Sequence, residues 1–217
     1  MKIAIVHDWL TGMRGGEKCL EIICELYPTA DLFTLFHIPG KVSSIIESHR
    51  IHTSFIQNLP FVKSKYRYYL PIMPFAIETF DLRKYDLILS SSHCVAKSIK
   101  PGPWSLHICY CHTPMRYIWD QFDQYFGKGK SSWLSEKVMN LIRPWLQHWD
   151  VKTSRRVNNF IANSRHVQKR IKKYYGKEAT VIHPPVDTKL FTPTPTEERR
   201  DYFLTLSAFA PYKRLDL

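Results

Sequence analysis

The 217-residue sequence contains no apolar stretch long enough to span a bilayer. Its N-terminus also lacks the long apolar region and the small-residue cleavage site of a secretory signal. The segment MKIAIVHDWL carries only a short apolar run that stops at His7 and Asp8, which is typical of a first β-strand. We therefore expect a protein that stays in the cytoplasm.

The cysteines lack the spacing of a disulfide framework or a zinc knuckle. The five of them are Cys19, Cys24, Cys94, Cys109 and Cys111. Buried thiols in a reducing compartment explain this odd count. His107, Cys109 and Cys111 alternate along one predicted strand, and alternate positions on a straight strand cannot by themselves close a tetrahedron. We expect no bound metal and no cofactor.

Acidic residues are few relative to basic ones, 19 against 31, which gives a net charge of +12. This excess favours an anionic partner: a phosphorylated substrate, an anionic membrane surface or nucleic acid. Residues 62–75 (VKSKYRYYLPIMPF), the basic aromatic segment, predict either a solvated face with core anchors or a surface that rests on anionic lipid. Together with the cluster KRIKKYYGK, the segment would also suit nucleic acid. No nucleic-acid-binding module accompanies these clusters, so we expect no such partner.

Short apolar runs alternate with helical stretches, which predicts parallel βαβ units and an α/β Rossmann-like sheet flanked by helices. The predicted strands are Lys2–His7, Asp31–Phe36, Ile51–Phe55, Tyr85–Ser90, Leu106–Cys111, Asn159–Ala162 and Thr180–His183. The predicted helices run from about Glu17 to Tyr27, from Ser132 to Arg156 with a bend or restart at Pro144, and from the N-cap Ser164 to Tyr175.

The composition of the sequence changes after His183. Residues 1–184 predict one Rossmann-like domain, and the Pro- and Thr-rich residues 185–200 predict a linker. Residues 201–217 predict the first strand and helical turn of a second domain. A single βα fragment cannot bury both of its faces, so we expect either a truncated chain or docking on another body.

Two segments could carry chemistry. Gly15 and Gly16 follow the first strand, where glycines let the backbone and a helix N-terminus approach an anion, although the pattern is neither G-x-G-x-x-G nor a Walker A loop. The segment YCHTPMRYIWD follows a buried strand, at the sheet edge where open α/β folds bind ligands. There His112 could exchange a proton, Arg116 could hold phosphate and Asp120 could orient either. The alternatives are a plain tight turn and side chains that satisfy local backbone groups.

Several motifs in order along the chain resemble those of the family 4 glycosyltransferases. They are MKIAIVHDWLTGMRGGEK, YDLILSSSHCVAK, CYCHTPMRYIWD, FIANSRHVQKRI, VIHPPVDTKLF and LSAFAPYKRLDL. Within the family they are most similar to mannosyltransferase-like members of bacterial polysaccharide and O-antigen clusters. The resemblance implies a GT-B architecture, in which an acceptor-side and a donor-side Rossmann-like domain face each other across a cleft.

The resemblance also implies roles for single residues. It places Gly15 and Gly16 near the donor diphosphate, and it places His112 beside the transferring sugar as the catalytic residue. Lys213 matches the family's cationic clamp on the diphosphate, while Ala208 stands at the clamp's arginine position and Arg214 replaces a glycine. The expected residues of the acceptor side or cleft are Glu17, Arg116, Asp120, Asn163, Ser164 and Arg165.

The function that the resemblance implies is transfer of a hexose, most of all mannose, with retention of the anomeric configuration. The donor would be a nucleotide sugar, with GDP-mannose favoured, and the acceptor a lipid-diphosphate or a glycan. Such an enzyme would lie in the cytoplasm or at the inner face of the cytoplasmic membrane. Two alternatives stay open: a non-catalytic remnant or binding subunit, and, more distantly, a basic nucleic-acid-binding protein.

Overall fold

The computed structural model describes residues 1–127, 129, 132–192, 203 and 205. It confirms the α/β class, because the strands form a seven-stranded parallel sheet flanked by helices. The strands are β1 (Ile3–His7), β2 (Asp31–Thr34), β3 (Ile51–Thr53), β4 (Leu87–Ser92), β5 (Leu106–Cys111), β6 (Asn159–Ala162) and β7 (Ala179–Val181).

The order of the strands in the sheet is β3-β2-β1-β4-β5-β6-β7. The chain therefore builds outwards from β1 in one direction and then returns to add β4 on the other side of β1. Val6 pairs with Ser90 and His7 pairs with Ser91 across this junction. In open α/β sheets the crevice at such a reversal, outside the carboxyl ends of the strands, is where ligands bind.

Seven helices belong to the described part of the chain, together with short 3₁₀ turns at Phe55–Asn58, Tyr66–Tyr69 and Ala96–Ser98. The helices are α1 (Gly15–Leu26), α2 (Ser44–Glu47), α3 (Val62–Lys65), α4 (Met73–Ile77), α5 (Phe122–Phe126), α6 (Trp133–Ser154) and α7 (Arg165–Tyr175). The predicted N-cap of α7 is confirmed, because the Ser164 hydroxyl accepts the Val167 N–H at 3.2 Å.

The α6 helix continues through Pro144, so the predicted restart there is wrong. Proline inside a helix removes one hydrogen bond and costs about 3 kcal/mol. Arg143 and Gln147, on either side of the proline, both donate to the carbonyl of Ile118, at 3.0 and 2.8 Å. These contacts hold both turns of α6 against the loop that follows β5, which offsets part of the cost.

The core lies on both faces of the sheet. Ile5 and Leu32 pack on one face with Leu20 of α1, while Val6 and Ile88 pack on the other face with residues of α4 and α6. Burial on both faces explains why the strands read as continuous apolar runs. Each fully buried Leu or Ile side chain contributes about 2 kcal/mol to stability.

A buried ion pair joins the 3₁₀ turn after β4 to α6. Lys97 Nζ lies 2.8 Å from Asp150 Oδ1, and both side chains are almost completely buried. The indole N–H of Trp119 and the hydroxyl of Tyr175 both donate to the other oxygen of Asp150, at 2.8 and 2.9 Å. Because removing either charge would leave the other buried and unpaired, this network fixes the turn in place.

The chain divides into two compact units, Met1–Pro185 and Val186–Leu217. In the second unit, the Asp187 carboxylate accepts the backbone N–H groups of Lys189 and Leu190 at 3.1 Å. Most of the predicted linker and second domain, residues 193–202, 204 and 206–217, falls outside the described residues. The predicted boundaries at 184 and 200 therefore stay predictions. Among the helices that the structure describes, none is long and apolar enough to cross a membrane.

Candidate active site

Asp8 leaves β1 at the reversal of strand order and is completely buried. Its carboxylate accepts four backbone N–H groups from the turn after β4: those of His93 (2.7 Å), Cys94 (3.0 Å), Val95 (2.6 Å) and Ala96 (2.7 Å). Burial alone would raise the pKa of Asp8, but the charges of His93 and His7 and these N–H groups hold the pKa below its usual 3.8. The N–H groups of this turn are thus already bound to an anion.

Three histidines meet at the carboxyl ends of β1, β4 and β5: His7, His93 and His112. The His93 ring lies 5.9 Å from the His7 ring and 6.4 Å from the His112 ring, between ring centroids. His93 Nδ1 also lies 3.0 Å from Asp8 Oδ2. Burial, reinforced by the two other histidines, lowers the pKa of His112 to about 3. His112 is therefore neutral at physiological pH, with one donor and one acceptor nitrogen.

A hydroxyl group connects two of these rings. Ser91 Oγ, on β4, lies 2.8 Å from His112 Nε2 and 3.1 Å from His7 Nδ1. On the far side of His7, Nε2 lies 3.9 Å from the Glu17 Oε1 carboxylate oxygen of α1. Burial of Glu17 raises the pKa of its carboxyl, but His7 outweighs this and the pKa falls below its usual 4.5. We name this connected set Glu17, His7, Ser91 and His112 the relay.

The predicted glycines lie beside the relay. Helix α1 begins at Gly15, so its first turn and the positive end of its dipole lie in the same crevice. A Cβ atom on Gly16 would stand 3.8 Å from His112 Nε2 and 3.8 Å from His7 Cε1, whereas a Cβ on Gly15 would meet nothing within 4 Å. Glycine at position 16 therefore keeps space open in front of both imidazole rings. The structure brings Gly15, Gly16, Glu17 and His112 together, and their proposed roles stay predictions.

The other predicted site residues surround this group or lie apart from it. Asn163 Nδ2 donates to the carbonyl of His112 at 3.1 Å, and Ser164 donates to Asn163. Arg165 is exposed at the first turn of α7. Arg116, half-buried, lies in the loop after β5. Asp120 lies 2.7 Å from Arg170 Nε, an ion pair that joins this loop to α7.

A role for Asp120 in orienting His112 or Arg116 stays a prediction, because the ion pair that the structure defines is with Arg170. Lys213 and Arg214 lie outside the described residues. Within the described ranges, no group of three or more His, Cys, Asp or Glu side chains is arranged to hold a metal ion.

A cavity of about 540 Å³ lies beside the histidines, lined by Trp9, Arg14 and much of the basic aromatic segment. Trp9 stands edge-on to His93 with ring centroids 4.6 Å apart, and 5.1 Å from the Tyr66 ring. The cavity thus adjoins the histidine cluster through one indole ring. Three cations line it, those of Arg14, Lys65 and Arg67, and none of its described lining residues is acidic.

Sequence reasoning missed four residues of the site: His7, Asp8, Ser91 and His93. Their signal was polar residues at the carboxyl ends of two buried strands, HD at the end of β1 and SSSH at the end of β4. Their contacts depend on the pairing of β1 with β4, which joins residues 84 or more positions apart. Local pattern alone gives no measure of such a distance.

Comparison with known proteins places these observations in a family. The family model Glycosyltransferase Family 4 matches residues 31–190, well over half of the chain. Among solved structures, the fold is similar to that of Anabaena Alr3699/HepE in complex with UDP (TM-score 0.53, 17% identity) and in complex with UDP and glucose (TM-score 0.51, 18% identity). In both comparisons 90% of this chain is covered but only 47% of HepE, so the chain spans about half the length of that protein. No curated protein gave a significant match. The chain belongs to glycosyltransferase family 4.

Proposed function

We propose that the chain is the acceptor-side half of a retaining, nucleotide-sugar-dependent hexosyltransferase of GT-B architecture. One observation carries the proposal: the relay histidine His112 and the N-terminus of α1 at Gly16 converge in the crevice where the strand order reverses. Glycosyl transfer needs a place for a sugar next to a place for a diphosphate. The His112 ring can bind the sugar, and the N-terminus of α1 beside it can bind the diphosphate.

The proposed chemistry assigns the diphosphate to α1. As the bond between the sugar and the diphosphate breaks, negative charge grows on the leaving phosphate and positive charge on the sugar carbon. The backbone N–H groups at the start of α1 and the helix dipole stabilise the phosphate charge. Lys213 and Arg214 would add cations on the same diphosphate. Neutral His112 would bind a hydroxyl of the transferring sugar, with Asn163 holding its backbone in place through the His112 carbonyl.

The proposed acceptor site is the cavity next to Trp9. Its cations at Arg14, Lys65 and Arg67 suit a phosphate or diphosphate group. Its Trp and Tyr rings offer flat apolar surfaces against which the C–H face of a sugar can pack. This combination supports a lipid-diphosphate or phosphorylated glycan acceptor, and it supports contact with an anionic membrane surface.

The proposed donor is GDP-mannose, on the strength of the motif resemblance alone. The structures of HepE with UDP and with UDP and glucose make UDP-glucose the necessary rival. The test is transfer of labelled sugar from GDP-mannose or UDP-glucose to a bacterial membrane lipid extract. One arm contains the 217-residue chain by itself, and a second arm adds a separately expressed donor domain of a family 4 enzyme.

We expect label in the lipid fraction in at least one arm. His112→Ala should lower transfer by at least about tenfold, the value of one good hydrogen bond near the reacting sugar. The matched control is His148→Ala, since His148 is exposed on α6. Absence of transfer in both arms would overturn the proposed catalysis; if the chain then still bound a nucleotide sugar, it would be a binding subunit.

A further inference from the structure

We infer that Glu17, acting through His7 and Ser91, fixes the tautomer of His112, so that its Nδ1 atom faces the crevice as a hydrogen-bond acceptor. Glu17, His7 and Ser91 are thereby positioning residues. The arrangement itself is a property of the chain; only its use in sugar binding rests on the proposed function.

The Ser91 hydroxyl has a single proton, which couples the two imidazole rings. Its oxygen lies within hydrogen-bond distance of His112 Nε2 and of His7 Nδ1, at 2.8 and 3.1 Å. Ser91 Oγ makes no other hydrogen bond among the described residues, so between two neutral imidazoles its proton goes to one of these nitrogens and its oxygen accepts an N–H from the other. The tautomers of the two imidazoles are therefore coupled: the hydrogen bonds run either all towards Glu17 or all away from it.

Glu17 places a negative charge at one end of the relay. His7 is fully buried, and its Nε2 atom has no hydrogen-bond partner among the described residues. The ion-pair partner of that nitrogen is Glu17 Oε1, at 3.9 Å. An N–H on Nε2 would be attracted to the carboxylate, whereas a lone pair there would be repelled by it. The lowered pKa of Glu17 keeps the carboxylate charged at neutral pH.

The shared Ser91 proton and the Glu17 charge together select one direction for the hydrogen bonds, towards Glu17. His7 carries its proton on Nε2, so its Nδ1 atom is the acceptor for the Ser91 hydroxyl. Ser91 then accepts the N–H of His112 Nε2, which leaves Nδ1 of His112 without a proton. That nitrogen makes no hydrogen bond among the described residues and is not one of the buried unpartnered atoms, so it is accessible to a ligand.

The two sides of the crevice therefore prefer different chemical groups. An acceptor nitrogen binds a hydroxyl group, which donates, and disfavours a phosphate oxygen, which only accepts. The His112 side of the crevice therefore selects sugar hydroxyls, while the N–H groups at the start of α1 select the diphosphate. Glu17, which never needs to touch the substrate, sets this choice.

The experiment is ¹⁵N NMR of the imidazole nitrogens in the uniformly labelled 217-residue chain, with no substrate present. Couplings from each ring nitrogen to the ring C–H protons identify which nitrogen carries the proton. We expect His112 in the Nε2–H form. Glu17→Gln keeps the shape of the side chain but removes its charge, and should lower the ratio of the Nε2–H to the Nδ1–H form about tenfold. Ser91→Ala cuts the relay at its centre and should give a similar loss.

The matched control is Glu21→Gln, one turn further along α1, where the carboxylate pairs with Lys18 at 2.9 Å. It should leave the His112 signals unchanged. Backbone amide spectra show whether each variant is folded, and the wild-type tautomer tests the inference even if one variant is not. An Nδ1–H form of His112 in the wild type, or an unchanged ratio in both relay variants, would overturn the inference. Neither result depends on whether the chain transfers a sugar.

Discussion

At the scale of single residues, Asp8 shows how one side chain joins two distant segments. It takes the N–H groups of four consecutive residues, His93 to Ala96, which would otherwise form an anion site of their own. Asp8→Asn keeps the shape but places an amide N–H₂ group against backbone donors. We expect the free energy of unfolding at neutral pH to fall by about 3 kcal/mol, the value of a buried hydrogen bond to a charged acceptor. Urea denaturation measures this change.

The pH dependence of the same variant follows from the lowered pKa of Asp8. A carboxyl whose pKa is lower in the folded than in the unfolded protein contributes stability above its unfolded pKa, and that contribution is lost as the pH falls through the folded pKa. The gap between wild type and Asp8→Asn should therefore be full at neutral pH and close in acid. Asp86→Asn, at an exposed carboxylate that accepts the Lys2 N–H, is the control. A gap that stays constant down to strongly acid pH would contradict the assignment.

The sequence predicted some of these residues and not others, for a physical reason. His112, Glu17 and the two glycines follow recognisable signals, since a strand end or helix start lies next to each of them in the chain. His7, Ser91 and His93 come together only because β4 pairs with β1 in the sheet. That placement is decided by packing over the whole sheet, which a local pattern does not encode.

At the scale of elements, a substitution at the start of α1 should change sugar transfer without lowering stability. Gly16→Ala should leave the fold equally stable or raise its stability by up to about 1 kcal/mol, because alanine is the better helix former. Its methyl group would stand at van der Waals distance from His112 and His7. We expect this methyl group to occupy space that the donor needs. Transfer of labelled sugar should then fall, while the midpoint temperature of thermal unfolding should not.

The chain offers a matched control one residue earlier. Gly15→Ala adds the same methyl group to the same helix turn, but nothing lies within 4 Å of it. The two variants should therefore share their stability and differ in sugar transfer. Equal transfer by both would mean that the space in front of the imidazole rings is not used by the substrate.

The long helices were easier to predict than the short ones. Helices α1, α6 and α7 agree with their predicted bounds to within two residues, because each is long enough for a helical period to be recognised in its sequence. Strands β5 and β6 also have the predicted bounds. Helices α2 to α5 have four or five residues each and carry too few periods for a pattern to be recognised. The restart predicted at Pro144 does not occur, since tertiary contacts from Arg143 and Gln147 outweigh the local preference, and the alternative of a bend there stays a prediction.

At the scale of the whole first unit, the exposed cations of the basic aromatic segment lie at one end of the sheet. Val62, Leu70 and Met73 of the basic aromatic segment are buried anchors, which confirms that part of the segment packs in the core. Lys63, Lys65 and Arg67 are exposed between them. Tyr66 of the same segment packs against Trp9 and Phe36, which follow β1 and β2, so these cations lie near the carboxyl ends of the strands.

This arrangement predicts salt-dependent binding to anionic membranes. Exposed aromatic side chains, at Phe61, Tyr68 and Phe75, accompany the cations and could enter the headgroup region. A basic residue near an anionic surface contributes about 1 kcal/mol, so changing Lys63, Lys65 and Arg67 together to Gln should weaken binding to phosphatidylserine vesicles about a hundredfold at low salt. Co-sedimentation with such vesicles over a range of salt concentrations measures the effect.

The control removes the same charge from the opposite end of the sheet. Lys2, Arg83 and Lys84 are exposed and precede β1 and β4, so their change to Gln lowers the net charge equally but leaves the basic aromatic segment intact. If the segment is a docking surface, this control variant should keep most of its affinity for vesicles. Equal losses in the two variants would mean that vesicles sense only the net charge of +12, and a membrane surface beside the proposed acceptor cavity would then have no support.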